Sequence, residues 1–172
     1  FDHKHLNLDL PYFERQIPTS ENVARVLWDK LQAQPDIGTL QRLSLYEDED
    51  LCADLTAEAG PEVASVTRRY SFTAVHDGHR GHTWDLFVSV HGPIDRETGM
   101  VTDIVALDHL LKERVLVPFD GRDLRMVLAT PSVTGEYLAK AVWDRIVSAI
   151  PAGTLQLVKL VQTRDLFYEY AG

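Results

Sequence analysis

At 172 residues, with 45% hydrophobic and 25% charged positions, the chain is long enough for one ordinary domain or two small ones around a buried core. A net charge of −9 with no basic block works against nucleic-acid binding, and no apolar run approaches the roughly 20 residues needed to cross a bilayer. The single cysteine, Cys52, excludes an intrachain disulfide and fits a reducing, cytoplasmic setting.

In chain order, the first strong element is a helix. Thr19 or Ser20 can cap it, it runs to about Gln32, and Val23, Val26, Leu27 and Leu31 share one face, with Glu21 favourably placed near the N-terminus. The stretch LQRLSLYE then alternates, so that Leu43 and Leu45 face one way, as in a half-buried strand ending at Glu47. WDLFVSVHG alternates in the same manner, and ETGMV supplies a glycine turn before the next element. VTDIVALDHLLKERVL reads as an amphipathic helix, on whose solvated face Asp108 and His109 are expected. The order strand, strand, helix, helix, strand, strand predicts an α+β unit with helices lying on an antiparallel sheet.

An internal repeat organises these elements. Pro18 to Leu51 lies over Val133 to Leu166 at a constant offset, which matches Trp28 to Trp143, Asp29 to Asp144 and GTLQ at Gly38 to GTLQ at Gly153. FDHKHLN at Phe1 matches FDGRDLR at Phe119 after a short deletion. One unit's second half therefore occurs twice, around a single first half, and the expected division is 1–57 and 58–172. Six strands are expected, two from the opening half-unit and four from the unit that follows.

FDHKHLN, PTSENVARVLW, the strand ending in Glu47, GHRGHTW and GPIDRETGMVTDI together resemble the 6-pyruvoyl-tetrahydropterin synthase and 6-carboxy-tetrahydropterin synthase family, over nearly the whole chain. The resemblance implies the tunnelling fold, in which four-stranded sheets from several subunits close a barrel with active sites between subunits. It further implies a pterin substrate, 7,8-dihydroneopterin triphosphate, and a zinc ion held by three histidines. Phe1 then falls where the second half of a preceding unit is under way, so the expectation is a processed or truncated tandem fusion whose upstream half-unit was removed, cleaved or made as another chain. The expected partners are the pterin and either further copies of this chain or that upstream half-unit, with neither nucleic acid nor membrane.

The resemblance also implies site residues. Asp2 and His3 match the family's proton-transfer pair, in which a carboxylate orients an imidazole whose ordinary pKa suits exchange at neutral pH; apart from the resemblance they read as an exposed pair near a terminus. Glu47 matches the carboxylate that grips the pterin ring, accepting from two adjacent N–H donors. Thr19 and Ser20 match positions lining the pterin pocket, and capping alone would also account for them. In the second copy Gly121 stands for the histidine and Gln162 for the glutamate, so Phe119 to Gly172 reads as a structural copy.

For the metal, His76 matches the first zinc ligand, and His79 and His82 in GHRGHTW stand for the family's His-x-His pair. Three apart, they would face opposite ways on a regular strand, and a bulge at Arg80 or Gly81 would bring them together. The competing reading puts Arg80 in the second ligand's place and leaves no zinc. The family's catalytic cysteine has no counterpart in this loop, and Cys52 is not its equivalent. Two functions follow from the resemblance: a zinc-dependent carbon-oxygen lyase of the 6-pyruvoyl or 6-carboxy type, or a non-catalytic pterin-binding or scaffold protein of the same fold.

Overall fold

A computed structural model describes residues 4–76 and 81–172. Short helix α1 (Leu6–Asp9) and a 3-10 turn, Pro11–Phe13, precede helix α2 (Ser20–Gln32). Four strands follow: β1 (Arg42–Tyr46), β2 (Leu51–Thr56), β3 (Val63–Ala74) and β4 (His82–Pro93). Helices α3 (Ile104–Leu111), α4 (Val117–Phe119), α5 (Leu124–Val127) and α6 (Gly135–Ile146) lead to β5 (Thr154–Thr163) and β6 (Leu166–Tyr170). The strands pair in chain order from β1 to β6, and the outer pairs β1/β2 and β5/β6 are antiparallel. The expected α+β order and six strands are therefore present among the described residues.

Two compact units divide the chain. The first comprises the residues through Thr67 together with His91–Thr102. Within it α2 packs against β1 and β2, burying Ala24 and Trp28 of the helix, while Ala53 and Leu55 are buried on β2. The helix has the limits the sequence predicts because Thr19, in an extended conformation, accepts from Asn22 N and so satisfies one of the first-turn donors. The buried stripe is rotated from the expected one: Leu31 is 39% exposed, whereas Trp28 is 6% exposed. A large indole one turn earlier claims the face on the sheet and leaves Leu31 beyond its edge.

The second unit comprises Arg68–Val90 and Asp103–Gly172. Alternate residues Trp84, Leu86, Val88 and Val90 of β4 are all buried, as period-two patterning requires. Helix α6 packs on β5 and β6 through Leu138, Ala139, Val142 and Ile146, one stripe of a 3.6-residue repeat. Its N-cap, Thr134, accepts from Tyr137 N as Thr19 accepts from Asn22 N. The expected long helix after Asp103 is interrupted. A π-helical turn, Lys112–Leu116, joins α3 to α4, because Pro118 has no N–H to give Arg114 and its ring would meet that carbonyl. Arg145 Nη1 donates to the freed Arg114 oxygen instead, at 3.0 Å.

Candidate functional site

Three segments of the first unit converge at the N-terminus of α2. Thr19 Oγ1 donates to Gly99 O at 2.5 Å, and Asn22 Nδ2 donates to Ile17 O at 2.8 Å. Gly99 has φ of 74°, and a Cβ there would collide with the Asn22 amide, so the ETGMV turn needs its glycine both for conformation and for close approach. Asp95 shapes this turn by accepting from Glu97 N and from Thr98 N and Oγ1. Those bonds, Thr98's first, hold its carboxyl below the usual range. At the end of β1, Glu47 N donates to Leu51 O, and the Glu47 carboxylate accepts from Ser20 Oγ at 2.6 Å. Ser20 is buried and Glu47 is exposed. A carboxylate fixed at its base yet open to its surroundings keeps lone pairs for two further donors.

Glu21 is the residue the sequence did not single out for this site. Expected only to favour the helix N-terminus, it is 4% exposed, and its Oε1 accepts from Val101 N at 3.0 Å. Burial, with a smaller contribution from the Glu47 charge, pushes its carboxyl above the ordinary glutamate range despite the Val101 bond. Its position tells little from sequence alone, because the donor lies 80 residues away. Asp2 and His3 lie outside the described residues, as do His79 and Arg80.

In the second unit, the rings of His76 and His82 lie 6.2 Å apart, and each packs on Trp84, at 5.2 and 5.1 Å. His82 Nε2 is buried with no hydrogen-bond partner among the described residues. Two imidazoles on one tetrahedral zinc have ring centres about 5 Å apart, given Zn–N bonds near 2.1 Å. The pair thus fits two of three ligand positions after a small adjustment, although the described residues contain no group of three ligating side chains. A buried nitrogen left without a donor or acceptor is what a ligand to an ion would present.

Other expectations are corrected or placed here. Asp108, with its side chain 39% exposed, lies on a solvated helix face as expected but is also engaged there: it accepts from Tyr70 Oη at 2.8 Å and from Arg68 Nε at 3.3 Å. Burial and then Asp108 raise the Tyr70 phenol well above its ordinary value. Asp120 accepts from Thr73 N at 2.8 Å and ties the FDGRDLR stretch to the end of β3. Gly121 N and Leu124 N bond Thr73 O and Val75 O along the same edge. Burial pushes the Cys52 thiol up to about 11, which removes it from proton chemistry near neutrality. His109 is exposed, and His91 Nδ1 lies 3.0 Å from Ser65 Oγ.

The profile of the family described as "6-pyruvoyl tetrahydropterin synthase" matches residues 1–58 and 66–172. The chain belongs to that family. The 6-pyruvoyl tetrahydrobiopterin synthase of Homo sapiens is 31% identical over 134 residues, covering 63% of this chain and 92% of the human protein. That of Pongo abelii is 32% identical over the same length and coverage, and that of Drosophila melanogaster 32% over 109 residues, 49% of this chain and 64% of its own. The structure of Caenorhabditis elegans 6-pyruvoyl tetrahydropterin synthase superposes with a TM-score of 0.59 at 23% identity, covering 64% of this chain and 96% of that one. The synthase-family chain accordingly has the α+β tunnelling fold, with helices on an antiparallel sheet. No helix among the described residues is long and apolar enough to cross a membrane.

Proposed function

We propose that this chain is a pterin-metabolising lyase acting on 7,8-dihydroneopterin triphosphate, of the 6-pyruvoyl or 6-carboxy type, with its pterin held at the α2 N-terminus. The contact that carries this reading is Ser20 Oγ to Glu47 Oε2 at 2.6 Å. It aims a carboxylate while leaving it able to accept from the exocyclic amine and a ring N–H of the pterin, and such charge-assisted bonds are about twice as strong as neutral ones. Thr19 and Ser20 frame the same pocket. The matched segments, 1–58 and 66–172, are consistent with two family units in one chain, divided near residue 58.

Asp2 and His3 act as the proton-transfer pair: Asp2 orients the His3 imidazole, and His3 exchanges a proton with the substrate side chain. His76 and His82, joined by His79, are the residues that would hold zinc, and bound zinc would polarise the side-chain hydroxyls. The reaction site draws on more than one chain or half-unit, because β1 and β6 end the strand order and present edges that a further copy could pair. Two copies would supply twelve strands, enough for the family's barrel, in a dimeric ring.

Glu47→Gln tests the anchor directly. Gln keeps one acceptor but replaces the other with a donor, so neopterin affinity should fall by about 1.5 kcal/mol or more, roughly tenfold in Kd. Isothermal titration of the wild-type and variant proteins measures this, and unchanged affinity would remove Glu47 from the pocket.

A further inference from the structure

Two segments of this chain share a register but not their contents. In the first, Ser20 opens α2, Glu47 follows β1, and Ala53 sits opposite Leu45. At the constant offset of the repeat, the same places are held by Gly135, Gln162 and Tyr168, and Tyr168 sits opposite Leu160. A methyl group in one segment is a phenol ring in the other.

The ring uses the space that the other changes provide. Gly135 is buried, and a Cβ built on it would lie 2.5 Å from Cγ of Tyr168 and nearer still to the ring edge. No side chain, and so no serine, can stand at 135 while the ring is in place. Tyr168 Oη donates to Gln162 Oε1 at 3.2 Å, occupying a side-chain oxygen of the kind that Ser20 holds at Glu47. A shift in the β5/β6 register between Val161 and Thr163 takes Gln162 out of regular pairing, whereas Glu47 continues its ladder to Leu51. The same tyrosine ring lies 6.3 Å from Trp84, which packs on both His76 and His82. Neighbouring rings thus lead from the histidine pair through Trp84 to Tyr168, whose hydroxyl reaches Gln162.

We propose that Tyr168 is an internal plug: admitted by Gly135 and anchored on Gln162, its ring fills the place of the pterin in the second unit. The chain then takes one pterin, at Ser20 and Glu47, and none at Gly135 and Gln162. This rests on the assignment of Glu47 as the pterin anchor. The three residues act as a set, since serine at 135 would strike the ring and glutamate at 162 without removal of the ring would gain no ligand.

The experiment counts neopterin bound per chain by equilibrium dialysis, for the wild type and for Gln162→Glu combined with Tyr168→Ala or, should the cavity left by alanine unfold the protein, with Tyr168→Val. One per chain in the wild type and two in the opened variants is expected. Two in the wild type, or one in both, overturns the plug while leaving the Glu47 anchor intact. None in the wild type overturns the Glu47 anchor and, with it, the plug that rests on that anchor. A thermal-melt cycle reads the steric part without any ligand. Gly135→Ser should lower the melting temperature, and adding Tyr168→Ala to Gly135→Ser should recover much of that loss. Additive losses would overturn the pairing of glycine and ring.

Discussion

Replacing Glu21 separates two effects that the fold superimposes on one side chain. Glu21→Gln keeps an oxygen for Val101 N but removes the ionisable group, whereas Glu21→Ala removes the acceptor as well. Both variants are neutral, so their difference isolates the bond and the packing. An orphaned buried N–H costs about 1–3 kcal/mol, and the lost methylene about 0.8 kcal/mol, so alanine should be about 2–4 kcal/mol less stable than glutamine. The wild type adds a pH dependence. Burial favours the protonated carboxyl in the fold, so Glu21's contribution is complete below the ordinary value of 4.5 and is lost as pH rises through the higher native value. Glu21→Gln has no proton to lose and should gain on the wild type from pH 4 toward pH 7. Urea unfolding across that range measures both effects. Parallel wild-type and glutamine curves, or equal stability of glutamine and alanine, would refute the reasoning.

Two other expectations concern the core and the assembly. Phe119 is fully buried, meets Phe72 edge to face at 5.7 Å and lies 4.7 Å beneath the Arg145 guanidinium, so Phe119→Ala should cost about 3–5 kcal/mol in denaturant unfolding. A loss below 1 kcal/mol would mean that the second unit's core is not closed around this ring. Light scattering at micromolar concentration should find a dimer or larger species, and a stable monomer would rule out the shared barrel.

Much of the fold was legible because its signals are local. Helix α2 has a cap at Thr19 and a helical period, and β4 has strict alternation at Trp84, Leu86, Val88 and Val90, so both follow from neighbours in sequence. What escaped depends on partners brought in from afar. Glu21 reads as a helix-start carboxylate until the Gly99 turn delivers Val101 N to it. Asp108 reads as solvated, and its bonds to Tyr70 and Arg68 of β3 show only once the strand is brought beside the helix. The π-helical turn had a visible cause in Pro118, but the relief of the Arg114 carbonyl by Arg145 is a tertiary event. That Gln162 stands at the repeat position of Glu47 was visible residue by residue. That the Tyr168 ring lies against Gly135 and bonds Gln162 was not, because it depends on strand register and on the missing Cβ of Gly135.

The central claim is that the chain converts a pterin rather than only holding one. It is tested most directly by following the loss of 7,8-dihydroneopterin triphosphate and the release of triphosphate by the wild-type protein and by His3→Ala, with neopterin binding measured on the same samples. The expected result is turnover by the wild type and its abolition in His3→Ala, with binding nearly unchanged. Neopterin binding without any turnover by the wild type would contradict the lyase assignment, and equal loss of binding and turnover in His3→Ala would make that histidine structural.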